Sequence, residues 1–125
     1  MVAVIGGGQL ARMMQEEASA LGVHLRALVE SPRGSAAQVT VDAPVGGADD
    51  EAAVRALVAG RAATGPDAPS LQAAGAADVL TFEHEHQDQE LLLALQGEGV
   101  PVRPDPRALL LARDKLAMRR AMDEA

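Results

Sequence analysis

The sequence predicts an α/β fold in which a parallel sheet of about four to five strands carries helices on both faces. Short apolar runs of strand length alternate along the 125 residues with segments whose apolar residues recur at helical spacing. Neighbouring parallel strands need helical crossovers, so this alternation is typical of a sheet that is covered on both faces. Three glycines also separate the first predicted strand from the first predicted helix, as in many open parallel sheets.

The first predicted elements are a buried strand and an amphipathic helix. Residues 2–5 form a short apolar run that ends at the glycines, which indicates a buried strand. Residues 9–21 have helical periodicity, and Gly22 supplies the stop. The buried stripe of this helix is expected to contain Leu10, Met13, Met14, Ala18 and Leu21.

Two more strands and a second helix are predicted before residue 60. Residues 24–29 form an apolar run followed by a Ser-Pro-Arg-Gly turn, which indicates a second strand. Residues 37–45 are apolar at alternate positions and predict a weak third strand. Asp49 or Asp50 is expected to cap a helix that extends to about residue 59. Its apolar stripe is expected to contain Val54, Leu57 and Val58.

The rest of the chain continues this alternation after one long loop. Residues 60–77 are rich in Gly, Ala and Pro and predict an inserted surface loop. Strands are predicted over 78–82 and 100–102, and helices over 87–95 and 107–124. The inward-facing residues of these helices are expected to include Leu91, Leu92, Leu95, Leu110, Leu111, Leu116 and Met122.

Composition and charge exclude several classes of function. The formal charge is −7, so the chain lacks the cationic surface whose counterion release drives nucleic-acid binding, and anionic membranes should repel it. It has one Phe and no Trp, Tyr or Cys, which excludes aromatic base-stacking platforms, disulfides and thiolate sites. No apolar stretch approaches the about 18 residues of a membrane span. We therefore expect a cytoplasmic protein that binds neither nucleic acid nor membrane.

The glycine turn has several possible uses. Residues 6–11 fit the pattern G-x-G-x-x-G/A, and a helix start after such a turn offers N–H groups and a positive dipole end to an anion. An NAD(P)-binding oxidoreductase domain also needs an acidic residue about 20 residues further on, and Glu30 lies there. The pattern therefore has three possible interpretations: an NAD(P)-binding domain, a site for another phosphate ligand, or a turn that only packs the helix on the sheet. A nucleotide-sensing regulatory domain is the non-enzymatic alternative.

Three stretches in order resemble one enzyme family. They are VIGGGQLARMM at residues 4–14, DVLTFEHEH at residues 78–86, and VPVRPDPRALLLARDKLAMRRAMDE at residues 100–124. All three are similar to segments of the 5-(carboxyamino)imidazole ribonucleotide synthases of purine biosynthesis, which belong to the ATP-grasp superfamily. Together they span nearly the whole chain, so the resemblance is more specific than any one motif.

The resemblance implies a fold and a reaction. Residues 1–105 would form a Rossmann-like preATP-grasp domain, with 60–77 as an inserted loop, and residues 106–125 a helix that leads into an ATP-grasp domain outside this sequence. The family uses ATP and Mg²⁺ to join bicarbonate to the amine of aminoimidazole ribonucleotide, through a carboxyphosphate intermediate. The resemblance implies that this domain does not bind NAD, is inactive alone, and belongs to a homodimeric ligase whose Mg²⁺ and most ATP contacts lie elsewhere.

The resemblance also assigns roles to single residues. Gly8, Gln9 and Leu10 are expected to contact the ribonucleotide at the helix start, Leu10 through its backbone with its side chain in the core. Glu83, at a strand end, is expected to accept hydrogen bonds from an amine or hydroxyl of the substrate. Lys115 is expected to reach the ATP phosphates. No catalytic residue and no metal ligand are assigned to this chain.

Two histidines depart from the family pattern. His84 and His86 stand where an aromatic residue and an asparagine are usual. Alternate residues of a strand share a face, so this pair could in principle hold a metal, but no third ligand is evident beyond Glu83 or Glu85. We expect both histidines to be exposed or to support the site from behind.

Overall fold

The computed structural model describes residues 1–60 and 75–125 and contains a parallel sheet of three strands. Strand β1 (Val2–Ile5) lies in the centre, between β2 (Leu25–Leu28) and β3 (Val79–Phe82). In the parallel register Ile5 pairs with both Leu28 and Phe82, so all three strands end at the same edge. The predicted parallel α/β fold is confirmed.

Helices connect these strands, and those that precede residue 114 pack on the sheet. They are α1 (Gln9–Leu21), α2 (Glu51–Ala59), α3 (Gln89–Gly97), α4 (Ala108–Arg113) and α5 (Lys115–Glu124), with a short 3-10 helix at Ala36–Gln38. Asp50 and Asp88 cap α2 and α3, because their carboxylates accept N–H groups of the first turns. The cap of Asp88 makes α3 begin two residues later than predicted. Gly22 ends α1 in the left-handed conformation, as expected.

The sheet buries a separate apolar cluster on each face. Ala3 and Ile5 of β1 point toward α2, α3 and α4, whereas Val4 points toward α1. The first cluster also contains Leu28, Val54, Leu57, Val58, Leu80, Leu91, Leu92, Leu95, Val102 and Leu109. The second also contains Ala11, Ala18, Leu25, Ala27, Val29 and Ala36. The prediction of helices on both faces is therefore confirmed.

The expected strand over 37–45 is wrong. The segment begins in the 3-10 helix, because the N–H of Thr40 bonds back to the carbonyl of Ala36. Only two isolated bridges then join it to the sheet, from Asp42 to Arg26 and from Val45 to Val29. Pro44 lies between them and has no N–H to donate, which prevents a continuous ladder.

The expected strand over 100–102 is reduced to one bridge. Val102 pairs with Leu80 and is fully buried, but Pro101 and Pro104 flank it and cannot donate. The described part of the sheet therefore has three strands instead of four to five, with bridged segments along both of its edges.

The expected apolar stripe of α1 is wrong for Leu10, Met13 and Leu21, whereas Ala18 is buried as expected and Met14 packs against the second cluster. Small residues, Ala11 and Ala18, form the buried face and pack against the alanine and valines of the sheet. The larger side chains are exposed: Leu10 by 51%, Met13 by 52% and Leu21 by 75%. Because the buried residues are alanines, the helix can approach the sheet closely.

The expected single helix over 107–124 is interrupted at Asp114. Its backbone is extended, and its carboxylate accepts the N–H groups of Leu116 and Ala117, which starts α5 as a new helix. Leu109 is buried in the core. The residues that the sequence predicted for the core of this region are instead exposed, namely Leu110, Leu111, Leu116 and Met122.

Two sequence predictions are not decided by the structure. Gly60 ends α2, and the N–H of Ala77 donates to the carbonyl of Val58, but the rest of the expected loop 60–77 falls on residues 61–74, outside the described residues. The division at residue 105 stays a prediction. Among the described helices, none combines the length and the apolarity needed to cross a membrane.

We predict that Leu57→Ala lowers the free energy of unfolding by about 2–5 kcal/mol, because Leu57 is 1% exposed and its truncation leaves a cavity beneath the sheet. Urea unfolding followed by circular dichroism measures this change. The control Leu21→Ala, on an exposed side chain, should change stability by at most about 0.5 kcal/mol. Equal losses in both variants would contradict the described core.

Candidate functional site

The candidate site lies at the edge where the parallel strands end. Gly6 follows β1, Glu30 follows β2 by two residues, and Glu83 follows β3 directly. The N–H of Gly6 donates to the carbonyl of Leu28, and the N–H of Glu83 donates to the carbonyl of Ile5, so these connections start side by side. In open α/β sheets this edge is where ligands bind.

The carboxylate of Glu83 closes the N-terminus of α1. Oε1 accepts the N–H of Gly8 at 3.0 Å, and Oε2 accepts the N–H of Ala11 at 2.9 Å. Gly8 is the residue before the helix and has no side chain to serve as a cap. A negative charge at this helix end also interacts favourably with the helix dipole. Two of the N–H groups that the glycine pattern would offer to a phosphate, those of Gly8 and Ala11, are therefore already engaged.

Two glycines of the turn make room for this carboxylate. A Cβ atom on Gly6 would lie 2.3 Å from Cγ of Glu83, and one on Gly8 would lie 2.6 Å from its Oε1. Gly7 faces the neighbouring strand instead, since its Cβ would lie 2.9 Å from Cβ of Val29. The glycines thus allow a side chain from β3 to reach the start of α1.

Gln9 and Leu10 are exposed on the first turn of α1. The expected core position of the Leu10 side chain is wrong, because Ala11 takes the inward position of this turn. Gln9 is not isolated, since its Oε1 accepts a hydrogen bond from Oγ of Ser35 at 3.0 Å. The assigned ligand contacts of Gly8, Gln9, Leu10 and Glu83 stay predictions.

The segment 31–38, after β2, is a neighbour of the site that the sequence analysis missed. The N–H of Ala36 donates to the carbonyl of Gly7 at 3.0 Å, and Nη1 of Arg12 donates to the carbonyl of Ser35 at 3.2 Å. The only signal in the sequence was the Ser-Pro-Arg-Gly turn, which predicts a loop but not its contact with the glycine turn.

The residues after Glu83 form a small polar network. Nδ1 of His84 accepts the N–H of His86 at 3.2 Å, and the side-chain amide nitrogen of Gln87 lies 3.1 Å from the same atom. Arg113, the last residue of α4, donates to the carbonyl oxygens of Glu85 and Gln87. The C-terminal helices are therefore attached to the loop that carries Glu83.

The two histidines differ in exposure. His86 has a side-chain exposure of 80%, whereas His84 is half-buried against Gln87. The carboxyl of Glu85 has a pKa below its ordinary value, first because it accepts a hydrogen bond from its own backbone N–H and then because His86 lies close. Residues 1–60 and 75–125 bring together no group of three or more His, Cys, Asp or Glu that could hold a metal ion.

Lys115 is not hydrogen-bonded to the glycine turn. It is the first residue of α5 and is exposed, and its ammonium forms no hydrogen bond or ion pair with any residue that the structure describes. A cation at this position is free to bind an anionic group. Its expected contact with ATP stays a prediction.

Comparison with known proteins places this geometry in a family. Residues 1–67 match the model of the ribonucleotide synthetase preATP-grasp domain. The chain is 46% identical over 125 residues to the N5-carboxyaminoimidazole ribonucleotide synthase of Mycobacterium bovis, covering 100% of this chain and 25% of the relative. It is 40% identical over 126 residues to the corresponding synthase of Corynebacterium ammoniagenes, covering 98% of this chain and 26% of that protein.

Solved structures give the same result. The N5-carboxyaminoimidazole ribonucleotide synthetase of Thermotoga maritima superimposes with a TM-score of 0.79 at 31% identity, over 98% of this chain and 30% of that one. The synthase of Aspergillus clavatus, solved with ADP and 5-aminoimidazole ribonucleotide, gives 0.77 at 26% identity, over 98% and 28%. The chain thus spans about a quarter of the length of these curated relatives.

We predict that Gly8→Ala destabilises the fold by about 1–3 kcal/mol, because its Cβ would displace Oε1 of Glu83 and leave helix N–H groups without their acceptor. Thermal or urea unfolding measures the loss. Gly97→Ala is the matched control, since a Cβ there meets nothing within 4 Å, and it should be neutral or stabilising by up to about 1 kcal/mol. A Gly8→Ala variant as stable as the parent would refute the proposed packing.

Proposed function

Because the chain belongs to the ribonucleotide synthetase preATP-grasp family, we propose that it is the N-terminal domain of an ATP-dependent carboxylase-ligase. The proposed reaction joins bicarbonate to the amine of aminoimidazole ribonucleotide, uses ATP, and yields 5-(carboxyamino)imidazole ribonucleotide. The names of the relatives support this reaction, as does the complex of the Aspergillus clavatus enzyme with ADP and 5-aminoimidazole ribonucleotide. The role proposed for this domain is to bind the ribonucleotide.

The observation that carries this proposal is the carboxylate of Glu83 in the glycine turn. A pyrophosphate at the start of α1 would meet this negative charge and would have to displace it from Gly8 and Ala11. A carboxylate has about four acceptor sites, and these two backbone bonds occupy only part of them. The turn therefore suits a ligand that brings a hydrogen-bond donor, such as an amine or a hydroxyl.

This arrangement fits the chemistry of the proposed substrate. The amine nitrogen must form a bond to the carbon derived from bicarbonate, phosphate must leave that carbon, and the amine must lose a proton. A hydrogen bond from the amine to Glu83 would hold the nitrogen in position and would stabilise the positive charge that develops on it during attack. The two backbone N–H groups would keep the carboxylate itself fixed.

The Mg²⁺ and most contacts to ATP are proposed to come from other parts of the longer protein. The described residues offer no cluster of oxygen ligands for Mg²⁺. Lys115 is the one residue of this chain that we propose for the ATP phosphates, because its exposed ammonium can offset their charge. The homodimer and the cytoplasmic location implied by the resemblance stay predictions.

We predict that the longest natural polypeptide containing this chain releases phosphate only when aminoimidazole ribonucleotide, bicarbonate and ATP are all present. In that polypeptide Glu83→Gln should raise the KM for the ribonucleotide by about 10- to 100-fold, which corresponds to the loss of a charged hydrogen bond, and should leave the KM for ATP nearly unchanged. Glu17→Gln, which changes an exposed carboxylate of α1, is the control. Thermal unfolding of both variants separates lost binding from lost folding.

Two outcomes would contradict the proposal. One is a parent protein with no turnover on these substrates. The other is saturable NAD(H) binding that a Glu30→Ala variant abolishes, because Glu30 is exposed just after β2, where the ribose of a dinucleotide would lie. Titration of the parent and of Glu30→Ala with NADH, followed by fluorescence, tests this alternative, and we expect no saturable binding.

A further inference from the structure

Segment 31–38 is hydrogen-bonded both to the glycine turn and to helix α1. On one side the N–H of Ala36 donates to the carbonyl of Gly7, which belongs to the turn itself. On the other side Nη1 of Arg12, in the first turns of α1, donates to the carbonyl of Ser35. The backbone around Ser35 is therefore fixed relative to the start of α1.

Further contacts hold the same part of the segment. The side-chain amide of Gln38 donates to the carbonyl of Arg33 at 3.3 Å, and its oxygen accepts from Nη1 of Arg12 at 3.4 Å. The N–H of Gly34 closes a turn onto the carbonyl of Ser31 at 2.9 Å. The backbone that carries the Ser35 side chain is consequently held in one place.

The hydroxyl of Ser35 holds the carboxamide of Gln9 in place. A carboxamide has one acceptor oxygen and two N–H donors. Oγ of Ser35 donates to Oε1 of Gln9 at 3.0 Å, so the oxygen is engaged and the amide nitrogen is left as a donor. Gln9 is exposed, and no residue that the structure describes accepts a hydrogen bond from this nitrogen.

A ligand at the glycine turn would therefore meet hydrogen-bond acceptors on one side and hydrogen-bond donors on the other. Glu83, after β3, contributes acceptors beside Gly8 and Ala11, whereas Gln9 contributes donors on the adjacent first turn of α1. A ribonucleotide that carries an amine fits both, because its amine donates and its ribose and phosphate oxygens accept. Without Ser35 the carboxamide would lose this bond and would be free to turn away from the position in which it presents its N–H groups.

We propose that Ser35 is a positioning residue for the substrate, which orients Gln9 so that its Nε2 donates to a sugar or phosphate oxygen of the ribonucleotide. This inference rests on the proposed function and names a residue outside the motifs that led to it. Ser35 itself touches no reacting atom in this role, so its removal should weaken binding of the ribonucleotide and spare the chemical step.

The test is a double-mutant cycle in the longest natural polypeptide that contains this chain. We expect Ser35→Ala to raise the KM for aminoimidazole ribonucleotide by about 3- to 10-fold with kcat nearly unchanged, which is the size expected for one neutral hydrogen bond. In a Gln9→Ala background the same substitution should have no further effect, because its target is gone. Ser35→Thr should restore the parent KM, since it keeps the hydroxyl.

Ser31→Ala is the matched control within the segment. The hydroxyl of Ser31 accepts the N–H of Arg33 and does not touch Gln9, so this variant should keep the parent KM. The proposal is overturned if Ser35→Ala leaves the KM unchanged, or if its effect is as large without the Gln9 side chain as with it.

A structural measurement separates failure of this inference from failure of the proposed function. A parent protein with no turnover contradicts the proposed function alone. In that case crystal structures of the parent and of Ser35→Ala decide the matter: we expect one conformer of the Gln9 carboxamide in the parent and more than one in the variant. An unchanged single conformer in the variant overturns the role of Ser35.

Discussion

The hydrogen bonds from Gly8 and Ala11 to the carboxylate of Glu83 determine much of this molecule's local structure. They connect β3 to the start of α1 across 75 and 72 residues of sequence. The carboxylate supplies the cap that Gly8 cannot, and it requires the space that only glycines at positions 6 and 8 leave. A helix start that looks like an anion site in the sequence therefore already holds the protein's own carboxylate at Gly8 and Ala11.

This contact depends on how closely α1 packs on the sheet. The buried face of the helix consists of Ala11 and Ala18. Ala27 of β2 belongs to the same cluster, so small side chains meet from both sides. Larger side chains at these positions would hold the helix axis further from the sheet, and Glu83 would not reach the helix N–H groups. The alanine-rich composition thus bears directly on the geometry of the site.

Elements that are defined by neighbouring residues could be predicted from the sequence. Strands β1 to β3 and helix α2 follow from apolar runs, glycine stops and an aspartate cap, and their predicted bounds agree with the structure within about two residues. The third strand failed because Pro44 and a local turn at Ala36 outweigh an alternating pattern. The prediction of one long C-terminal helix failed because Asp114 adopts an extended backbone and caps a new helix.

The site was predictable only in part, because its bonds join residues that no short motif contains. The pattern G-x-G-x-x-G/A describes the turn but not what fills it, and the residue that fills it follows another strand. A pyrophosphate beside the carboxylate of Glu83 would be opposed by its charge in a partly buried place, where water screens little. The identity of the ligand therefore depends on Glu83 and on the donor that Ser35 leaves free on Gln9, two features that the glycines alone do not encode.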